Sequence, residues 1–171
     1  MPFIERSAVE KDLLHEKAKQ KAFRLLAIRA RSEKELRTKL KERGYDESIV
    51  GDVMARLREL RYLDDESFAR GWARNLAVNR LWGNIRIEAS LRDKGIPREL
   101  IELVIREVRE ELSEQKALRV LLKKQKGVHS LKMDDKDKRR LVRSLMGKGF
   151  PLDLIIDMLR TPKEEFVNDG D

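Results

Sequence analysis

The chain has no cysteine among its 171 residues. A disulfide framework and a thiolate metal site are therefore excluded, and cysteine-free composition is what a cytoplasmic protein is expected to show. Histidine occurs twice, at His15 and His129, far apart in sequence and without ligand companions, so both read as surface residues. Aromatic residues make up only 5% of the chain, which argues against a β-sandwich or an enzyme with a deep pocket. No apolar run is long enough to span a membrane, and the segment Met1-Pro-Phe-Ile-Glu-Arg-Ser lacks the apolar centre of a signal peptide. Paired carboxylates, a nucleophile–base set and a glycine-rich phosphate loop are all missing from the sequence. Neither catalysis nor a cofactor or metal is expected.

What the chain has instead is charge. Charged residues are 41% of it, hydrophobic residues 40%, and the formal net charge is +8. The excess is uneven: residues 113–160 carry 13 basic and 6 acidic side chains, whereas residues 66–112 carry 9 and 8. Lys123, Lys124, Lys126, Lys138, Arg139, Arg140 and Arg143 crowd the former stretch. A basic surface of this kind suits a polyanion or an acidic protein face.

A repeat organises the rest. Around Gly95, Ile87 and Leu91 share a helix face, and Lys94 sits at the carbonyl end of that helix. Ile96 then reaches forward to Ile101 as a hydrophobic staple on the next helix. The same offsets recur in Leu36, Leu40, Gly44, Tyr45 and Val50, and in Leu141, Leu145, Gly149, Phe150 and Ile155. Gly44, Gly95 and Gly149 follow one another at a nearly constant interval. So many positions with mechanical roles at one period mark three copies of a helical unit. Each glycine is expected in the left-handed region, closing a helix.

In chain order, Ala8 to Ala30 reads as one helix, and Ser32-x-x-Glu35 is a capping box for a second. Asp46 is the expected cap of the third. Leu63-Asp64-Asp65 opens copy two, with Asp64 as N-cap and Leu63 stapled to Phe68. The helix from Asp65 to Arg80 is expected to bury Phe68, Ala69, Trp72, Ala73 and Leu76, and Trp82-Gly83-Asn84 turns into the next. In copy three, Glu114 to Gln125 is the first helix, an insertion spans Lys126 to Asp137, and Asp137 is the expected cap of the second helix. Pro162 stops the last helix, and the acidic tail from Glu164 is expected to fray. The boundaries read 1–21 as an N-terminal helical extension, then repeats at 22–64, 65–112 and 113–161, and a tail at 162–171.

These residues also carry a family resemblance. Leu36, Leu40 and Gly44, then Tyr62-Leu63-Asp64-Asp65 with Phe68-Ala69, then Gly83, Ile87, Leu91 and Lys94-Gly95-Ile96 resemble the RecX family of recombination regulators. The resemblance implies an all-α fold of three tandem three-helix repeats in an elongated, curved array. It implies a non-enzymatic, cytoplasmic regulator, expected to be a monomer, acting in recombination, repair and the SOS response. Its partner would be the RecA filament, with single- or double-stranded DNA as a further contact, and its effect mostly inhibition of ATPase, strand exchange and coprotease activity.

Candidate partner-binding residues are Arg29, Arg70, Arg74, Arg80, Trp82, Arg86, Lys123, Lys124, Arg139, Arg140 and Arg143. Leu63, Asp64, Asp65, Phe68, Gly44, Gly83, Gly95 and Gly149 form the structural motif. For Trp82 two readings stand: packing over its own turn or across a repeat junction, and anchoring a partner. The alternative function is direct DNA binding by a helix-turn-helix unit, against which stand Asp46, Glu47, Glu99, Glu102, Asp153 and Asp157 on the helices after each glycine.

Overall fold

A computed structural model of the chain describes residues 3–124 and 134–160. His129, Lys126, most of the expected insertion, Pro162 and the acidic tail lie outside the described residues. Among the described residues there are nine α-helices and no strand: α1 Phe3–Ile28, α2 Glu33–Lys41, α3 Glu47–Glu59, α4 Asp65–Arg74, α5 Asn84–Asp93, α6 Arg98–Glu111, α7 Glu114–Lys124, α8 Asp135–Gly147 and α9 Leu152–Arg160. They group into two compact units, Met1–Ala69 with Asp93–Pro97, and Arg70–Arg92 with Arg98–Asp171.

In the first unit α1, α2 and α3 bury one stripe each. Ala18 and Ala22 of α1, Leu36 and Leu40 of α2, and Val50, Met54 and Leu57 of α3 share one core. Leu13 and Leu14 of α1 are exposed, although Leu14 lies one turn before the buried Ala18. Small residues at 18 and 22 let α1 approach closely, and each fully buried leucine against them contributes roughly 2 kcal/mol. The first copy closes as the glycine spacing predicts. Gly44 has φ +84°, and the Tyr45 N–H donates to the Leu40 carbonyl at 3.4 Å across it, the bond that ends a helix on a left-handed residue. Gly95 and Gly149 have φ +82° and +91°.

Caps follow local sequence with two corrections. Ser32 is fully buried, and its hydroxyl accepts from the Glu35 N–H while the Glu35 carboxylate accepts from the Ser32 N–H. Asp64 Oδ1 accepts from the Glu66 and Ser67 N–H groups at 2.9 and 3.0 Å. Asp46 occupies the N-cap position of α3, but its side chain makes no cap hydrogen bond. The cap of α8 is Asp134, not Asp137; the Asp137 N–H is the donor to Asp134 Oδ1, at 2.7 Å. Both aspartates suit a first turn, and the earlier one wins because helix-compatible residues already follow it.

The second unit packs Ala117, Leu118 and Leu122 of α7 with Leu141 and Leu145 of α8, Phe150 and Ile155. The helix running from Asp65 is not regular to its end. It widens into a π-helical stretch at Asn75–Asn79, and Leu81 follows with φ +53°. Trp72 is half-buried rather than buried, and its indole N–H donates to Ser90 Oγ at 2.9 Å.

Candidate functional site: charged clusters where successive copies meet

Two clusters occupy equivalent places in successive copies, each inside one unit. In the first, the carboxylate of Asp65, the first residue of α4, accepts from the Glu33 N–H at 2.8 Å. It thus caps α2 from far along the chain. Arg58 of α3 bonds the Glu33 carboxylate at 2.9 Å. Burial raises the Asp65 carboxyl above its ordinary value, an effect the Glu33 N–H partly offsets. Asp64 and Asp65 therefore act as caps of two different helices.

Beside this cap Glu35 is held on two sides. Arg29 grips it with two bonds, at 2.9 and 3.2 Å, and the Lys94 ammonium bonds the same carboxylate. Burial alone would raise its pKa; the hydrogen bonds and charges of Arg29 and Lys94 outweigh it and hold the carboxyl at about 2. Lys94 thus pairs with a carboxylate in addition to sitting at a helix end. Arg31 is half-buried and donates to the Leu25 carbonyl at 3.1 Å.

The second cluster repeats the cap with different chemistry. Glu114, the first residue of α7, accepts from the Asn84 N–H at 2.7 Å and from the Asn84 side-chain amide at 2.9 Å. Arg109, which stands in its copy where Arg58 stands in the first, donates to Asn84 Oδ1 and to the Trp82 carbonyl, both at 2.7 Å. Burial lowers the pKa of that guanidinium. Backbone meets backbone here: the Gly83 N–H donates to the Lys148 carbonyl at 2.9 Å and the Ile85 N–H to the Gly149 carbonyl at 3.2 Å. A Cβ on Gly83 would lie 2.2 Å from the Gly149 oxygen, so only glycine fits.

In this second cluster Arg80 replaces Arg29, Trp82 replaces Arg31, and Arg86 replaces Glu35. The Arg86 guanidinium lies over the Trp82 ring at 3.8 Å and donates to the Gly147 carbonyl at 2.9 Å. Arg80 stands 5.8 Å from the ring centroid. Trp82 is half-buried. Among the described residues no carboxylate pairs with Arg80 or Arg86.

The other candidate residues are scattered. Arg70 bonds Glu107 at 2.9 Å and Arg74 bonds Glu111 at 2.6 Å, tying α4 to α6. Lys123 and Lys124 are exposed at the end of α7, and Arg139, Arg140 and Arg143 are exposed on α8. Among the described residues Lys124 and these three arginines form no ion pair. No group of three or more His, Cys, Asp or Glu side chains there could hold a metal, and no described helix is long and apolar enough to cross a membrane. Sequence reasoning misses Arg58, Arg109, Glu33, Glu35, Asn84 and Glu114 as cluster members; the recurrence of arginine at 58 and 109, one repeat apart, is the signal that could have found them.

Family profiles match every copy: the first, second and third three-helix domains of RecX match residues 18–57, 64–105 and 113–159. This chain belongs to the RecX family. "Regulatory protein RecX" of Mycolicibacterium smegmatis is 33% identical over 147 residues, covering 84% of this chain and 78% of that protein. The RecX protein of Corynebacterium efficiens is 30% identical over 170 residues, covering 97% and 80%. A crystal structure of a regulatory protein RecX superposes with TM-score 0.75 at 22% identity, over 92% of this chain and 77% of that one. RecX from Lactobacillus salivarius superposes with TM-score 0.72 at 21% identity, over 86% and 95%. These likenesses agree with an all-α chain of three three-helix RecX domains, and the named relatives are regulatory proteins.

Proposed function

We propose that this chain is a non-enzymatic regulator that binds RecA filaments on single-stranded DNA and mostly inhibits their ATPase, strand-exchange and coprotease activities. The observation that carries the reading is the match to all three RecX domains, in a chain whose relatives are named regulatory proteins. A monomer acting in the cytoplasm is part of this reading. The surface chemistry supports it. Arg80, Arg86, Lys124, Arg139, Arg140 and Arg143 carry charge that no ion pair within the described residues neutralises, so an acidic protein face or a phosphate chain would be attracted. Direct helix-turn-helix recognition of DNA fits less well. Asp46, Glu47, Glu99, Glu102, Asp153 and Asp157 are all exposed on or beside the helices that follow the glycine turns, and they would repel phosphates.

The test is RecA ATPase on single-stranded DNA titrated with this protein, with filament length followed in parallel. Substoichiometric protein should lower the rate, and the effect should weaken as salt rises. Unchanged ATPase and filament length at saturating protein would refute the reading.

A further inference from the structure

The two equivalent clusters differ at the place that Glu35 holds in the first. In the first, Glu35 sits between Arg29 and Lys94. In the second, the residues at those three places are Arg86, Arg80 and Lys148, all cations. Copy one contains the acid that its basic groups bind; copy two has the basic groups and a third cation where the acid would be.

The geometry of Arg86 leaves it able to take an acid from outside. Its guanidinium carbon lies over the Trp82 ring at 3.8 Å from the centroid, and it spends Nη1 on the Gly147 carbonyl. A cation–π contact uses no N–H donor and the fold's hydrogen bond uses Nη1, so the Nε and Nη2 edge retains the fork that matches a carboxylate. The Trp82 contact and the Gly147 bond hold the guanidinium in place, which reduces the entropy lost when a ligand is gripped. Arg80 is exposed on the same ring's flank, as Arg29 flanks Glu35.

We propose that Arg80, Trp82 and Arg86 form a socket for a carboxylate side chain presented by an acidic surface of a partner protein, filling the role that Glu35 fills internally in copy one. The proposal rests on the RecA reading only for the identity of that partner. A carboxylate is favoured over a nucleic-acid phosphate by the internal template, in which Arg29, the counterpart of Arg80, holds a glutamate. One ring face is also already covered by Arg86, which reduces what a stacking base could gain.

The experiment uses the full chain and two probes, hexaglutamate and a thymidine hexanucleotide. Binding is followed at low salt by the Trp82 indole N–H resonance, assigned through Trp82→Phe. Hexaglutamate should shift that resonance saturably, and Arg86→Gln should weaken the binding about tenfold, the loss expected for a charge-assisted pair. Arg80→Gln, which removes no hydrogen bond from the fold, serves as the second variant and should weaken it in the same direction with an unchanged melting temperature. An unmoved resonance, equal binding by both variants, or tighter binding of the hexanucleotide with the same losses would overturn the socket. RecA–DNA filaments form a separate arm. If wild type fails to bind them, the RecA reading falls and the hexaglutamate result still decides the socket. If wild type binds and both variants bind equally well, the socket falls and the RecA reading stands.

Discussion

Replacing Gly83 by alanine adds one methyl group where there is no room for it. The added Cβ would lie 2.2 Å from the Gly149 oxygen, 2.3 Å from its carbonyl carbon and 2.5 Å from the Phe150 nitrogen. All three are backbone atoms, so no side chain can swing aside. Relief requires the start of α5 and the turn after α8 to separate by about an ångström, and two hydrogen bonds hold them together, Gly83 N–H to the Lys148 carbonyl and Ile85 N–H to the Gly149 carbonyl. Overpacking of this kind costs about 1–3 kcal/mol, and two stretched backbone bonds add about 1 kcal/mol each. A loss of about 3–5 kcal/mol results. Gly51 supplies the control. It lies inside α3 with nothing within 4 Å of an added Cβ, so Gly51→Ala should stabilise by about 0.5–1 kcal/mol through helix propensity alone. Urea unfolding of both variants, followed by circular dichroism, measures the two shifts in opposite directions. Gly83→Ala within about 0.5 kcal/mol of wild type, a margin below the cost of a single such clash, would show that the backbone contact does not bear on stability.

Glu35→Gln should cost about 2 kcal/mol at neutral pH: holding the carboxyl at about 2 against an ordinary 4.5 corresponds to about 3.4 kcal/mol, reduced by solvent screening of a partly exposed pair. Because that pKa is depressed, the stabilisation is present above pH 4.5 and lost as pH falls toward 2; a variant whose deficit does not shrink over that window in urea titrations would refute the assignment. His15 should titrate above its ordinary 6.5, because its two ring nitrogens face the Asp52 carboxylate and the Lys11 carbonyl. Its contribution is then complete below pH 6.5 and lost as pH rises through the folded value, and proton NMR should show the midpoint falling in Asp52→Asn. Asp65→Ala should cost about 1 kcal/mol by uncapping α2, while Asp65→Asn, which keeps an oxygen for the Glu33 N–H, should cost less than half as much in thermal unfolding.

Local order was legible in the residues because it is made locally. The helices around Gly44, Gly95 and Gly149, the Ser32–Glu35 box and the Asp64 cap depend on hydrogen bonds and apolar contacts between near neighbours in the chain. Repetition of the glycine unit at a nearly constant interval then tells three copies from one long bundle. Even at this range a competition can mislead: Asp134 and Asp137 are both acceptable caps, and the helix uses the earlier one.

What tertiary structure decided is the pairing of groups that sequence separates. Asp65 and Glu114 each cap a helix that begins well upstream in the chain, and Arg70 and Arg74 meet Glu107 and Glu111 on a helix that follows only after α5. No spacing rule relates such residues; helix packing sets the distances. The same holds for the candidate site. Arg29 and Arg80 are identical residues at the same place in two copies, yet one is spent on Glu35 and the other stands beside Trp82 with no carboxylate among the described residues. That difference comes from two exchanges, glutamate for arginine at 35 and 86 and arginine for tryptophan at 31 and 82. Its meaning depends on which groups the fold brings around each position.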